Sequence, residues 1–314
     1  MYSSSPTTRF GLALPQVGKI ASPSAIVEVA KAADDRGYSS VWALDRLLAP
    51  IQPRTPYPAS PDGELPEEQQ IVLDPLGTLT LAAAVTERVR LGTSVIVAPW
   101  YAPALLARSL TTLDHISSGR LTVGLGLGWS VDEYEAVGVP QRRLGNHSEE
   151  ILDVLDAIWT NDVVSHDGER YHVAPSTILP KPLQNPRPPL LLAAYTPAGF
   201  DRIARRADGW TPAGLPVAAI TPMWSTIRDL AAGYGRDPDE LQLIVRANIK
   251  IFDQALDNDR PSYWGSIEQV TDDIDATRGS GADEILIDVQ ASAHSAAELI
   301  ELSDAVLSPI LTSA

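Results

Sequence analysis

Cysteine is absent from the 314 residues, which removes disulfides, iron–sulfur clusters and thiol nucleophiles from the chemistry open to this chain. Lysine is confined to Lys19, Lys31, Lys181 and Lys250, and 24 Lys and Arg stand against 40 Asp and Glu. A formal charge of −16 argues against nucleic acid and anionic lipid as partners, since both need a basic surface. A small-molecule ligand is expected instead. No apolar run has the length of a membrane span, and the opening MYSSSPTTRF lacks the hydrophobic segment of a signal peptide, so a cytoplasmic protein is expected. The G-x-S-x-G elbow of a Ser–His–Asp hydrolase is missing. His166 and His172 have no third histidine or carboxylate at ligand spacing, so they are read as solvated hairpin residues and no metal site is expected.

What is present is an alternation of apolar β-rich runs and amphipathic segments. Strands are expected at Phe10–Leu14, Ser40–Leu44, Val89–Val97, Leu121–Leu127, Pro189–Ala193, Gly209–Thr211, Leu241–Ile251 and Glu284–Val289. Helices are expected between them at Ser24–Arg36, Pro75–Thr86, Ala104–His115, Ser148–Thr160, Pro197–Ala207, Ala218–Ala232, Ser266–Arg278 and Ala296–Leu307. Eight such repeats in a chain of this length predict an α/β protein, a (β/α)8 TIM barrel forming one domain over residues 1–314. Two stretches interrupt the pattern. Residues 50–74 form a proline-rich insertion after the second strand, on the face where barrel active sites lie, and read either as a lid or as a surface excursion. Residues 163–173, VVSHDGERYHV, read as a hairpin insertion turning at Asp167 and Gly168.

Two strand ends have the composition of ligand sites. Gly126, Leu127, Gly128 and Trp129 follow the fourth strand, where small residues let backbone N–H groups approach an anion and a helix after Ser130 would add its positive end. Tight packing alone also explains such glycines. Ala194, Tyr195 and Thr196 join the fifth strand to a helix opening on Pro197, and Thr196 serves as a structural N-cap, as a phosphate ligand, or as both.

The segments DPLGTLTLAAAVTERVRLGTSVIVAPWYAPALLARSLTTLDHISSGRLTVGLGLGW, DEYEAVGVPQRR, EEILDVLDAIWTND, PKPLQNPRPPLLLAA and RRADGWTPAG, in that order and spacing, resemble the luciferase-like monooxygenase superfamily. Within it, the chain looks like the branch of oxidoreductases that depend on coenzyme F420. The resemblance covers nearly the whole length. It implies a bacterial-luciferase-like barrel whose mouth holds a deazaflavin over the end of the third strand. It also implies a non-prolyl cis peptide between Ser94 and Val95 that forms a bulge against the ring, and contacts from Gly126, Leu127, Gly128, Ala194, Tyr195 and Thr196 to the cofactor. Relatives often carry an acidic residue followed by histidine after the second strand, whereas this chain has Asp45 and Arg46. Arginine holds negative charge but does not shuttle protons near neutral pH. Asp45, Arg46 and Trp129 are therefore the catalytic candidates, with an Asp–Arg pair bracing a loop as the bland alternative and Tyr57, Tyr101, Glu133 or solvent as other proton donors. Asp114 and Arg120 are expected to brace a turn, and Arg142 and Arg143 to face an anionic tail or to form ion pairs. The activity implied is hydride exchange with a small organic substrate. Alternatives are an FMN-dependent monooxygenase supplied by a separate reductase, and a silent cofactor-binding barrel. A homodimer is implied by analogy.

Overall fold

The computed structural model describes residues 8–60 and 62–312. The first half of the fold runs β1 (Arg9–Ala13), α1 (Pro23–Arg36), β2 (Ser40–Ala43), α2 (Pro75–Ala83), β3 (Arg90–Thr93), β4 (Ile96–Val97), α3 (Pro103–Ile116), β5 (Leu121–Gly126), α4 (Val131–Ala136) and α5 (Leu144–Thr160). The second runs β6 (Val164–Asp167), β7 (His172–Ser176), β8 (Leu190–Leu192), α6 (Pro197–Arg206), β9 (Gly209–Trp210), α7 (Val217–Gly233), β10 (Gln242–Asn248), β11 (Lys250–Ile251), β12 (Trp264–Gly265), α8 (Ile267–Arg278), β13 (Glu284–Asp288) and α9 (Ala296–Thr312).

Parallel pairing in the order β3–β2–β1–β13–β10–β9–β8–β5 closes when β3 also pairs with β5, so eight strand positions make a (β/α)8 barrel of the predicted class. Alternation along the strands sorts side chains into two cores. Ala13, Trp42, Leu191, Ile244 and Leu286 fill the barrel interior. Their neighbours Leu12, Val41, Leu91, Val123, Val245 and Ile285 face the helix layer, where each buried side chain stabilises by about 1.5–3 kcal/mol. Trp42 leaves no room beside it: a Cβ on Gly92 would come within 2.2 Å of its ring.

The helices start where polar side chains cap free N–H groups. Ser22, Asp74, Ser130 and Thr196 accept from Ala25, Gly77, Glu133 and Gly199 in the first turns of α1, α2, α4 and α6. Among the described residues no helix is long and apolar enough to cross a membrane.

The structure departs from the expected elements at three places that matter. The strand expected at Val89–Val97 is broken into β3 and β4, because Thr93 bonds β5 through its side chain and the peptide between Ser94 and Val95 is cis. The strand expected at Leu241–Ile251 leaves the barrel after Asn248, and β11 pairs with β12 outside it. The helix expected from Ser148 begins four residues earlier, at Leu144, as α5.

Candidate functional site

The carboxyl ends of the strands surround a cavity of about 580 Å³. Its floor is the break between β3 and β4. Ser94 N–H donates to the Ala43 carbonyl at 2.8 Å. The Ser94 carbonyl accepts from Nη1 of Arg246 at 2.8 Å. Arg246 is 5% exposed, and its remaining nitrogens are also committed, Nε to Asn248 Oδ1 at 2.9 Å and Nη2 to Asp288. The network continues outward. Asp288 Oδ1 accepts from the Gln290 side chain at 3.0 Å, Gln290 Oε1 accepts from Gln16 N–H at 3.1 Å, and Gln16 Nε2 donates to the carbonyls of Leu44 and Leu73 at 2.9 and 2.7 Å. A continuous run of hydrogen bonds thus links the floor to both ends of the long loop after β2.

Asp45 Oδ2 accepts from Val97 N–H at 3.1 Å and from the Tyr101 hydroxyl at 3.0 Å, which ties β4 and the start of α3 to the end of β2. Burial pushes its carboxyl up to about 6, against the two hydrogen bonds, with the charges of Asp74 and Glu133 adding to the rise. The same burial, together with the negative charge of Asp45, raises the Tyr101 phenol out of physiological range. Asp45 is therefore the group in the cavity wall whose protonation changes near neutrality.

Arg46 does not pair with Asp45. Its guanidinium lies 4.9 Å from the centroid of the Trp129 ring, and its Nε is 3.9 Å from Glu133 Oε1, beyond hydrogen-bond reach. The Arg46 side chain is 6% exposed, and neither Nε nor Nη2 has a hydrogen-bond partner. Glu133 gives Oε1 to the N–H groups of Leu47 and Leu48 at 2.8 and 3.3 Å. Tyr57, from the long loop, meets Trp129 edge-on at 5.5 Å. The loop is pinned over this corner by Arg54, which donates to Asp132 at 2.6 Å and to Glu135 at 2.9 Å, and by the Val131 N–H donating to Thr55 at 3.2 Å.

At the opposite end, the cavity is lined by Thr196, Gly199, Ser148 and Arg202. Arg202 spends Nε on Glu149 at 2.9 Å and Nη2 on the Gly145 carbonyl at 3.1 Å. Thr196 Oγ1 accepts from Gly199 N–H at 3.2 Å as the N-cap of α6. A basic side chain, hydroxyls and a helix N-terminus in one corner suit an anionic group.

The luciferase-like monooxygenase family model matches residues 5–263. The chain belongs to this family. An uncharacterised protein of Mycobacterium tuberculosis (strain ATCC 25618 / H37Rv) is 36% identical over 242 residues, which is 77% of this chain and 84% of that one. The FMNH(2)-dependent dimethylsulfone monooxygenase of Pseudomonas putida is 34% identical over 155 residues, 48% of this chain and 42% of the enzyme. Among solved structures, monooxygenase RslO1 from Streptomyces bottropensis aligns with a TM-score of 0.79 at 23% identity, covering 98% of this chain and 99% of that one. The coenzyme F420 dependent tetrahydromethanopterin reductase from Methanopyrus kandleri aligns with a TM-score of 0.74 at 17% identity, covering 96% and 99%. Likeness at these identities concerns the fold. An enzyme of like fold is thus F420-dependent, and a relative in sequence is FMNH(2)-dependent.

In this member, Asp45, Arg46, Trp129, Ser94, Val95, Gly126, Leu127, Gly128, Ala194, Tyr195 and Thr196, drawn from four strand ends, all line the one cavity. Tyr57 and Glu133 line it as well, whereas Tyr101 acts through Asp45. The secondary expectations fare unequally. Asp114 and Arg120 do brace the turn, but separately: Asp114 accepts from Leu183 and Gln184, and Arg120 donates to the carbonyls of Ala83, Thr86, Val89 and Ser117. Arg143 meets Glu169 at 3.5 Å on the surface, away from the cavity. His166 is not a solvated hairpin residue, since its side chain is largely buried 3.5 Å from Glu150. Arg202, Arg246 and Asn248 were missed by sequence reasoning. Arg246 and Asn248 sit in an apolar strand at i and i+2, and a charged residue flanked by Val245 and Ala247 was the available signal.

Proposed function

We propose that this family member is an F420-dependent oxidoreductase that holds a tricyclic deazaflavin on the floor between Thr93 and Ile96 and exchanges a hydride with an organic substrate beneath the loop of residues 50–74. The observation that carries the reading is the convergence of eleven residues from four strand ends on one cavity, with the Ser94 carbonyl held in its floor by Arg246. The cavity volume of about 580 Å³ is in the range of cofactor sites. Arg202, Ser148 and the start of α6 would hold the anionic tail, and Ser94, Val95 and Gly126 would bear the ring. Deazaflavin supplies a hydride at a single ring carbon when bound.

The rest of the mechanism belongs to the chain. Arg246, neutralised by Asp288, fixes the floor so that donor and acceptor carbons are presented at a set distance. Tyr57 and Trp129, with the loop tied down by Arg54, keep water from the reacting face. Asp45 handles the proton: its Oδ2 is occupied by Val97 and Tyr101, so Oδ1 is the oxygen free to carry it. A carboxyl raised to about 6 is placed for general acid–base work near neutrality and takes the role that histidine would fill.

A second reading, an FMN-dependent monooxygenase fed by a separate reductase, is favoured by the 34% identity to the Pseudomonas putida enzyme. Titration of the purified protein with F420 and with FMN, followed by fluorescence quenching, separates the two. Tight F420 binding with turnover in the absence of oxygen supports the first reading. FMN binding with oxygen uptake on addition of reduced FMN supports the second, and failure to bind either overturns both.

A further inference from the structure

Side chains alternate along β10, and its inward series leads from the packed interior to the cavity. Ile244 fills the barrel interior, Arg246 lies one layer above it, and Asn248 stands at the mouth, where it lines the cavity. Asn248 is in parallel register with Asp288, and its Oδ1 accepts from Arg246 Nε at 2.9 Å. Guanidinium nitrogens only donate, so the amide oxygen has to face Arg246 and the amide cannot turn over. Nδ2 is thereby the group left for the cavity, and it donates to nothing among the described residues. Packing seals Nε and Nη2 of Arg46 and Nε1 of Trp100 within the same cavity wall, but leaves Nδ2 of Asn248 open.

What this donor can receive follows from its neighbours. Arg246 and Asp288 cancel each other's charge beside it, so this part of the wall offers an anion no net attraction. A neutral oxygen acceptor fits. A single N–H of fixed direction also discriminates against a molecule that lacks the acceptor, because the donor is then covered and left unpaired. In the closed strand order β10 is the fourth strand from β3 in either direction, so Asn248 faces the break between β3 and β4 across the mouth.

We propose that Asn248 is the specificity-determining residue of this cavity, donating Nδ2–H to the oxygen of an uncharged carbonyl substrate. The inference rests on the reading above for what fills the opposite side. With a ring borne by Ser94, Val95 and Gly126, a carbonyl oxygen held on β10 places its carbon between the donor and the ring. Arg246 serves both sides of this arrangement, because the guanidinium that fixes the Ser94 carbonyl also fixes the direction of the Asn248 amide.

Two matched pairs of probes exchange only the oxygen for a methylene group, acetophenone against α-methylstyrene and cyclohexanone against methylenecyclohexane. They are titrated by calorimetry into the protein as purified and into the protein saturated with oxidised F420 or FMN. At least one ketone should bind more tightly than its hydrocarbon partner by about fivefold or more. Asn248→Asp keeps an oxygen for Arg246 and exchanges the donor for an acceptor, so it should abolish that preference, whereas an asparagine that only braces Arg246 predicts its survival. Asn248→Ala should abolish the preference as well, and it carries the comparison should the melting temperature show that the aspartate variant does not fold. In the infrared, the carbonyl stretch of the bound ketone should drop in frequency in the parent and return towards its unbonded value in the variants. Equal binding within both pairs, no binding of either ketone, or a preference that survives in a folded variant overturns the proposal. So does a variant that weakens the cofactor and spares the ketone, because the amide then serves the ring. Should neither cofactor bind while the ketone preference depends on Asn248, the carbonyl site stands and the hydride-transfer reading falls.

Discussion

Replacing Arg246 with methionine tests the claim that one buried guanidinium holds the cavity floor. The substitution keeps much of the side-chain volume and removes three hydrogen bonds, to Ser94, Asn248 and Asp288. Asp288 is 9% exposed and would lose its cationic partner. Breaking a buried pair from one side costs about 3–5 kcal/mol, most of it the penalty on the remaining charge. With an unfolding entropy of about 2.1 cal/mol/K per residue over 314 residues, the melting temperature should fall by about 5–8 °C. The double variant Arg246→Met with Asp288→Asn removes the stranded charge and should regain at least half of the lost stability. Cofactor affinity should behave differently. The Ser94 carbonyl has lost its donor in both variants, so the loss, about tenfold for one hydrogen bond to a charged group, should persist in the double variant. Urea unfolding followed by tryptophan fluorescence supplies the stabilities, and quenching titrations supply the affinities. A double variant that recovers affinity together with stability would show Arg246 to be an ordinary structural ion pair, and a single variant as stable as the parent would refute the energetic argument outright.

Asp45→Asn addresses the raised carboxyl. A group lifted from 3.8 to about 6 contributes stability that is fully present below about pH 4 and is lost as pH rises through 6, because the folded state binds the extra proton. The asparagine variant should lack that slope, so the parent's relative advantage shrinks by up to about 3 kcal/mol across this window, and any limb near pH 6 in kcat/KM should vanish; parallel slopes would refute the assignment. Gly124→Ala would put a Cβ 2.1 Å from the Thr93 carbonyl oxygen, a backbone atom with nowhere to go, and a loss of about 3 kcal/mol or more is expected in urea unfolding. Arg54→Ala, by contrast, removes exposed ion pairs. It should hardly move the melting temperature while limited proteolysis between residues 50 and 74 accelerates, and an unchanged cleavage rate would deny Arg54 its role in seating the loop.

The barrel was legible because its information is local. A parallel strand covered on both faces must be apolar for its whole length, and the helix stripes and capping residues Asp74, Ser130 and Thr196 announce themselves within a few positions. The site was legible at strand ends for a related reason, since the barrel brings consecutive ends to one rim wherever they fall in the chain. What escaped depended on distant partners. Nothing near Arg246 in the sequence announces Ser94, 152 residues away, or Asp288, and nothing beside Gln16 announces Gln290. Arg46 was visible as a departure from a family pattern, but its pairing with Asp45 was an inference from adjacency. Neighbours in a chain leaving a strand point apart, and here Asp45 turns to Val97 and Tyr101 while Arg46 turns to Trp129.

The glycines at positions 124, 126 and 128 show how one stretch of sequence can shape two layers of a site. Read alone, they leave backbone open for a ligand. In the structure the space a side chain would occupy is already taken, at each glycine in turn, by Thr93, Val95 and Val97 of the neighbouring strand: the Thr93 carbonyl at 2.1 Å, a Val95 methyl at 2.5 Å and a Val97 methyl at 2.8 Å. The period of two matches on both strands, which is what parallel neighbours require. The glycine run is thus a mould for the interrupted strand, and two of the residues it receives, Val95 and Val97, line the cavity. Any side chain added there acts first on the cavity floor, so the strand end after β5 and the break between β3 and β4 have to be read as one element of the candidate site.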